Sequence, residues 1–232
     1  MSVESIGVLR EPARRAVYEY AVDRGELVSR DEVAQALGMG RTLAAFHLDR
    51  LADAGLLEVS YARRSGRSGP GAGRPAKLYR RSDTEHEVSL PPRRYQAAAG
   101  LLAEALERSG ADERLFEVAR ERGRAAGDRS GSSRGARRAE PDRSREAENA
   151  ELVETLAGQG YEPARRDGSI VLRNCPYHGL ARDFPPLVCG MNLASVQGLI
   201  EGLGCRGAVA RMAPEAGGCC VVIDTPVGDA AP

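Results

Sequence analysis

The tightest constraint on the fold lies between Pro12 and Arg80, where helix start and stop signals alternate at short intervals. Pro12 suits a first helical turn, and Ala13, Val17, Tyr20 and Ala21 share one face of a helix that Gly25 ends. Ser29-Arg30-Asp31-Glu32 then reads as a capping box, with Glu32 at the third helical position. The short helix it opens buries Val33 and Leu37 and stops at Gly38, and Gly40 permits a tight turn. A third helix is predicted from Arg41 to Ala54, with Ala44, Leu48 and Leu51 inward and Gly55 as terminator. Leu56-Leu57-Glu58-Val59 begins a strand, Arg64 to Pro75 is a loop of mostly Gly, Ser, Arg and Pro, and Ala76 to Arg80 alternates as a second strand. Helix, helix, turn, helix and hairpin in that order predict a winged helix-turn-helix over residues 1–83.

In such a unit the third helix is the element that fits the major groove. Its exposed N-terminal half offers Arg41, Thr42, Ala45, Phe46 and Asp49. Arg41 can reach guanine O6 and N7 or a phosphate, Thr42 a phosphate or a thymine methyl, and Phe46 thymine methyls. His47 has two readings, a backbone contact or a place in the interior, and the interior is favoured. Arg63, Arg64, Arg67, Arg74 and Lys77 make the hairpin a basic wing that would follow phosphates or the minor groove. The whole chain has a formal net charge of zero, so this stripe implies one anionic contact surface and not general polyanion affinity. A winged helix that binds protein is the competing reading, and such domains usually lack a basic wing.

Residues 92–108 read as an amphipathic helix with Tyr95, Ala98, Leu102, Ala105 and Leu106 on one stripe, and a second helix runs from Asp112 to about Gly127. Neither has the bulk of a domain core, so a twin helix from a second subunit is the expected partner, which makes 90–127 a dimerisation region. Residues 128–146 lack apolar periodicity and read as a disordered linker, with a nucleic-acid arm as the alternative. From 147 to 226 a helix (Glu148 to Gln159), a hairpin around Asp167-Gly168, an irregular stretch (Asn174 to Pro186), a helix (Cys189 to Leu203) and a second hairpin (Ala208 to Met212, Cys219 to Ile223) predict a small α+β domain. No apolar run is long enough for a membrane span and the N-terminus has no signal-peptide core, so a soluble cytoplasmic chain is expected.

All five cysteines, Cys175, Cys189, Cys205, Cys219 and Cys220, fall in the last quarter of the chain. In a reducing compartment, metal or redox chemistry is favoured over structural disulfides. No pair has Cys-x-x-Cys spacing, which excludes a zinc ribbon and a thioredoxin-like motif. Thiolates drawn from a loop, a helix start and a strand suit a folded pocket for zinc or an iron–sulfur cluster. Cys219 and Cys220 are neighbours, so at most one faces such a pocket unless the strand begins in a turn after Gly217-Gly218. Cys205 follows Gly204 at a helix end and reads as a bystander, and His178 stands close enough to Cys175 to share a site. Other readings remain: buried cysteines as core, a redox disulfide, or a solvated His178.

Two stretches carry a family resemblance. GRTLAAFHLDRLADAGLLE followed by GRPAKLYR resembles ArsR/DeoR-type bacterial regulators, in the subgroup similar to SufR, repressors of iron–sulfur cluster assembly operons. LRNCPYHGLA, LVCGMNLASVQGLIEGLG and GCCVVI resemble the sensor domain of the same subgroup. The resemblance implies a homodimer on a palindromic double-stranded operator. It also implies that Cys175, Cys189 and one of Cys219 or Cys220 hold an iron–sulfur cluster, with Cys219, Cys220, Cys205 and His178 as candidates for the fourth ligand. The cysteine doublet and Cys205 depart from the subgroup's pattern.

The expected function is therefore a DNA-binding transcriptional regulator, a repressor by resemblance, that senses cluster or redox status through C-terminal cysteines. One alternative keeps the DNA-binding half and gives the C-terminal domain zinc or a small organic effector. Another is a cysteine-dependent enzyme built from Cys175 and His178. The chain has no triad, P-loop or dinucleotide fingerprint, so an enzyme is not expected.

Overall fold

The computed structural model describes residues 3–62, 75–133, 144–214 and 218–225. The chain divides into two compact units, Met1–Arg93 and Arg94–Pro232. The architecture is α+β: N-terminal helices with a three-stranded antiparallel sheet, central helices, and a C-terminal four-stranded antiparallel sheet.

In the first unit, α1 (Val3–Gly7) and a 3-10 turn (Val8–Arg10) lead into α2 (Pro12–Arg24). Glu11 caps α2 by accepting from the Ala13 and Arg14 N–H groups, and Gly25 closes it in the left-handed region at φ 63°. β1 (Val28–Ser29) is a short strand that the sequence pattern did not reveal, because two residues show no alternation. Ser29 then caps α3 (Arg30–Ala36) with the reciprocal Ser29–Glu32 bonds of a capping box. After a turn, α4 (Arg41–Asp53) is followed by β2 (Leu57–Ala62) and β3 (Ala76–Arg81). The sheet order is β1-β3-β2, with Val59 opposite Tyr79 and Val28 also opposite Tyr79. Val17, Val28, Val33, Leu48 and Leu51 fill the core where α2, α3 and α4 meet.

The second unit begins with α5 (Tyr95–Ser109) and α6 (Asp112–Ser133). α6 does not end at Gly127 but runs on to Ser133, into the stretch expected as linker. The physical reason is that Gly127 is a packing glycine and not a terminator. α7 (Arg145–Gly158) likewise starts inside the expected linker, capped by Ser144, and residues 134–143 of that stretch lie outside the described residues. β4 (Pro163–Arg166) and β5 (Ser169–Leu172) form the hairpin expected around Asp167-Gly168, where φ is 47° and 78°. The stretch expected to be irregular contains α8 (His178–Asp183) and the first turn of α9 (Pro185–Leu203). β6 (Val209–Met212) and β7 (Val221–Asp224) pair, giving the order β4-β5-β7-β6.

The partner expected for the central helices is also corrected in part. α6 packs along α9 of the same chain, and small residues let the backbones meet. A Cβ on Gly127 would lie 2.6 Å from the Leu199 carbonyl oxygen. Arg120 and Arg124 on α6 both bind the Glu201 carboxylate on α9. Those two hydrogen bonds are the main cause of the depressed Glu201 pKa, outweighing partial burial. By contrast α5 buries Ala103 but leaves Tyr95, Leu101 and Leu102 exposed. No helix among the described residues is long and apolar enough to cross a membrane.

Candidate functional site

Two sets of residues were singled out by the sequence, one in each unit. In the first unit, α4 turns Ala44, His47, Leu48 and Leu51 into the core. The same periodicity leaves Arg41, Thr42 and Phe46 exposed and Ala45 half-buried. His47 is 5% exposed, so it belongs to the interior, with its Nδ1 3.8 Å from a Glu11 carboxylate oxygen. Arg14 from α2 stands over the Phe46 ring, 5.9 Å from its centre, and widens the cationic character of this face.

Two of the expected DNA-contacting cations have carboxylate partners. The Arg41 guanidinium donates two bonds of 2.6 Å to Asp31 on α3. Lys77 donates to Asp49 at 2.6 Å, and the Tyr79 hydroxyl donates to the same oxygen at 2.6 Å. Partial burial pushes the Asp49 carboxyl up, but these two hydrogen bonds outweigh it and hold the carboxyl below its ordinary value. Burial, and then the bond to Asp49, push the Tyr79 hydroxyl up to about 12. Arg63, Arg64, Arg67 and Arg74, expected in the wing, lie outside the described residues.

In the second unit, four of the five cysteines meet. Cys175 follows β5 in a turn closed by the His178 N–H bonding to its carbonyl. Cys189 sits in the second turn of α9, deeper in the helix than the expected helix start. Cys219 and Cys220 precede β7, which starts at Val221. Strand alternation therefore does not separate them, and both sulfurs join the group. Thiol hydrogen bonds link Cys175 to Cys219, Cys219 to Cys220, and Cys220 to Cys189. Cys219 is the acceptor at the centre. Bonds from Cys175 and Cys220 lower its pKa against the opposing effect of burial, helped by the Val221 N–H and Asn192. Cys175 and Cys220 are pushed up, first by donating to Cys219 and then by burial.

Cys205 is placed elsewhere. It lies past the C-terminal end of α9, where its thiol donates to the Glu148 carbonyl at 3.6 Å. The helical rise from Cys189 to the last residue of α9, Leu203, alone spans about 21 Å along the axis. His178 opens α8 and its side chain is exposed.

Two residues of this site escaped the sequence reading. Asn192 on α9 is fully buried and donates from Nδ2 to the Cys219 sulfur at 3.1 Å. The Tyr161 hydroxyl donates to Asn192 Oδ1 at 2.5 Å. The available signal was an amide one turn after Cys189, in a helix whose buried stripe is otherwise Leu, Val, Ile and small residues.

All four converging donors are sulfurs, which is the ligand chemistry of zinc and of iron–sulfur clusters. In kind, the set fits either group. As placed, the thiols bond to one another, and among the described residues no group of three or more His, Cys, Asp or Glu side chains already encloses a position for a metal ion. Ligation therefore requires loss of the bridging thiol protons and a movement of the sulfurs. Such movement is available to Cys175 and Cys220, which lie outside helices and strands.

The chain matches no protein-family model, no curated protein and no solved structure.

Proposed function

We propose that this protein is a DNA-binding transcriptional regulator whose first unit is a winged helix-turn-helix and whose second unit senses cluster or redox status through Cys175, Cys189, Cys219 and Cys220. The observation that carries the reading is the order α2, β1, α3, α4, β2, β3. With it, α4 buries Ala44, His47, Leu48 and Leu51 and turns Arg41, Thr42 and Phe46 outward. An outward arginine, hydroxyl and aromatic at the start of a helix of this kind are the groups that read base edges and methyls in a major groove. The wing arginines supply the phosphate-directed part.

On this reading the protein is a homodimer on a palindromic operator, acting as a repressor in the cytoplasm. The exposed Tyr95, Leu101 and Leu102 of α5 are the surface for the second copy. An iron–sulfur cluster held by the four thiols would supply redox-dependent charge and shape, and the chain's own residues bind it, exclude water and orient its sulfurs. Zinc is the second reading, because the same four grouped cysteines are also a zinc ligand set.

The test is anaerobic purification of the full chain, with an iron and sulfide count, an absorbance spectrum and selection of bound sequences from a random duplex pool before and after air. Selective binding whose affinity falls steeply with salt, and changes with the chromophore, supports the proposal. Absence of sequence-selective binding refutes the regulator. Bound zinc without iron or sulfide replaces the cluster by the second reading.

A further inference from the structure

We infer that Asn192 is a positioning residue for the thiol site, held by Tyr161 so that its N–H serves the Cys219 sulfur as a dedicated donor to a metal-bound thiolate. The inference rests on the proposed reading of the four thiols as a metal or cluster site, and it adds a residue outside that ligand set.

Asn192 lies one turn after Cys189 on α9, so the helix that carries one candidate ligand also carries the donor to another. Its amide is fully buried, and both of its ends are engaged. Oδ1 accepts from the Tyr161 hydroxyl at 2.5 Å and Nδ2 faces the Cys219 sulfur at 3.1 Å. A thiolate bound to a metal has no proton and can only accept, so an amide beside it must present its nitrogen. The tyrosine fixes that choice. Its hydroxyl is itself buried, and burial is the main cause that keeps it protonated and therefore a donor to Oδ1. The Val221 backbone N–H gives Cys219 a further donor. A charged sulfur that is 3% exposed needs such donors, because burying an unpaired charge is costly.

A buried asparagine in an apolar helix could instead serve only to satisfy Tyr161. The two roles separate in their effect on a bound metal. Partners that hydrogen-bond to ligand atoms typically change metal affinity by about 10–100-fold when removed. A purely structural partner of Tyr161 would leave affinity alone and lower only the melting midpoint.

The experiment uses the full chain, reduced and anaerobic, titrated with Co(II) as probe. Absorbance is read in the thiolate-to-metal charge-transfer region, and melting is followed in parallel without metal. Asn192→Leu, similar in shape and without a donor, is expected to weaken Co(II) binding by about tenfold or more. The charge-transfer band is expected to move to longer wavelength, because a sulfur that has lost a hydrogen bond releases charge more easily. Tyr161→Phe keeps the amide and removes its clamp, so it should move both readouts in the same direction by less. It also carries the decision if Asn192→Leu does not fold. Affinity and band position unchanged in a folded variant, with wild type binding Co(II), overturn the inference while leaving the thiol site standing. Failure of the wild type to develop any charge-transfer absorbance overturns the thiol-site reading, and the inference with it.

Discussion

Replacing Gly127 by Ala tests the claim that α6 continues past this glycine because of how closely it meets α9. The added Cβ would sit 2.6 Å from the Leu199 carbonyl oxygen, 2.7 Å from the Leu203 nitrogen and 2.8 Å from the Gly202 carbonyl carbon. Comfortable separations between heavy atoms are roughly 3.5–4.0 Å, so each contact is short by about 1 Å. All three atoms are backbone within α9, so no side chain can swing away and the helices must move apart. Gly123, Gly198 and Gly202 repeat the same tight approach along the interface, so the displacement is shared by the whole contact. Overpacking of this kind costs about 1–3 kcal/mol and occasionally more. The better helix propensity of alanine returns about 1 kcal/mol. With backbone on both sides of the clash, the upper end applies, and a net loss of about 2 kcal/mol is expected.

For a unit of this size that loss lowers the melting midpoint by roughly 5–8 °C. Gly100→Ala is the matched control. Gly100 lies within α5, and a Cβ there meets nothing within 4 Å. It should stabilise the chain by about 0.5–1 kcal/mol through propensity alone. Thermal and urea unfolding of the two variants, followed by far-ultraviolet circular dichroism, gives the comparison. If Gly127→Ala melts at or above the wild-type midpoint, the close α6–α9 contact at this glycine is wrong.

Three further outcomes are expected. The Glu201 carboxyl titrates below the unperturbed value of 4.5 because Arg120 and Arg124 hydrogen-bond to it; its stabilisation is thus present above that value and is lost as pH falls through the lower folded value. Melting midpoints measured from pH 6 to pH 3 should therefore fall more steeply for wild type than for Glu201→Gln, and parallel curves would remove the ion-pair clamp. Asp31→Ala releases the Arg41 guanidinium and removes a negative charge from the same surface, so duplex affinity at low salt should rise severalfold with a stability change within about 1 kcal/mol; unchanged or weaker binding in fluorescence anisotropy would count against Arg41 as a DNA contact. Cys205→Ala should leave metal or iron content equal to wild type while Cys175→Ser lowers it, and equal loss in both would extend the site to Cys205.

Much of the first unit was legible because its signals are local. A capping box, a Gly stop and a three- to four-residue apolar repeat each act within a turn or two, and Ser29, Gly25 and Leu48 behave as those rules require. The hairpin at Asp167-Gly168 was legible for the same reason, since positive φ at both positions favours these residues. Gly127 was misread because the same residue type serves two purposes, ending a helix or admitting a neighbour, and only the facing helix decides. The cysteine doublet shows the same limit. Strand alternation would separate Cys219 from Cys220, but the strand starts one residue after them, and a boundary of that precision is not contained in composition or period. Asn192 and Tyr161 are thirty-one positions apart, and their bond through the core has no local sign.

The carboxylate partners of Arg41 and Lys77 divide residues that the sequence placed in a single class. Both cations were assigned to DNA because they stand in a basic stretch or at the start of a helix. Asp31 and Arg41 are both mostly exposed, with side-chain exposures of 54% and 67%, so their pair is weak despite its two short bonds. A guanine edge or a phosphate presents acceptors in the same bidentate geometry as a carboxylate, so Arg41 can exchange one for the other at little cost. Lys77 is tied differently. Its acceptor, Asp49, is also held by the hydroxyl of buried Tyr79, so the ion pair joins Lys77 on β3 to a carboxylate fixed in place on α4. On the proposed reading Arg41 is then the residue that changes partners when DNA binds, whereas Lys77 braces β3 against α4 and fixes where the wing begins.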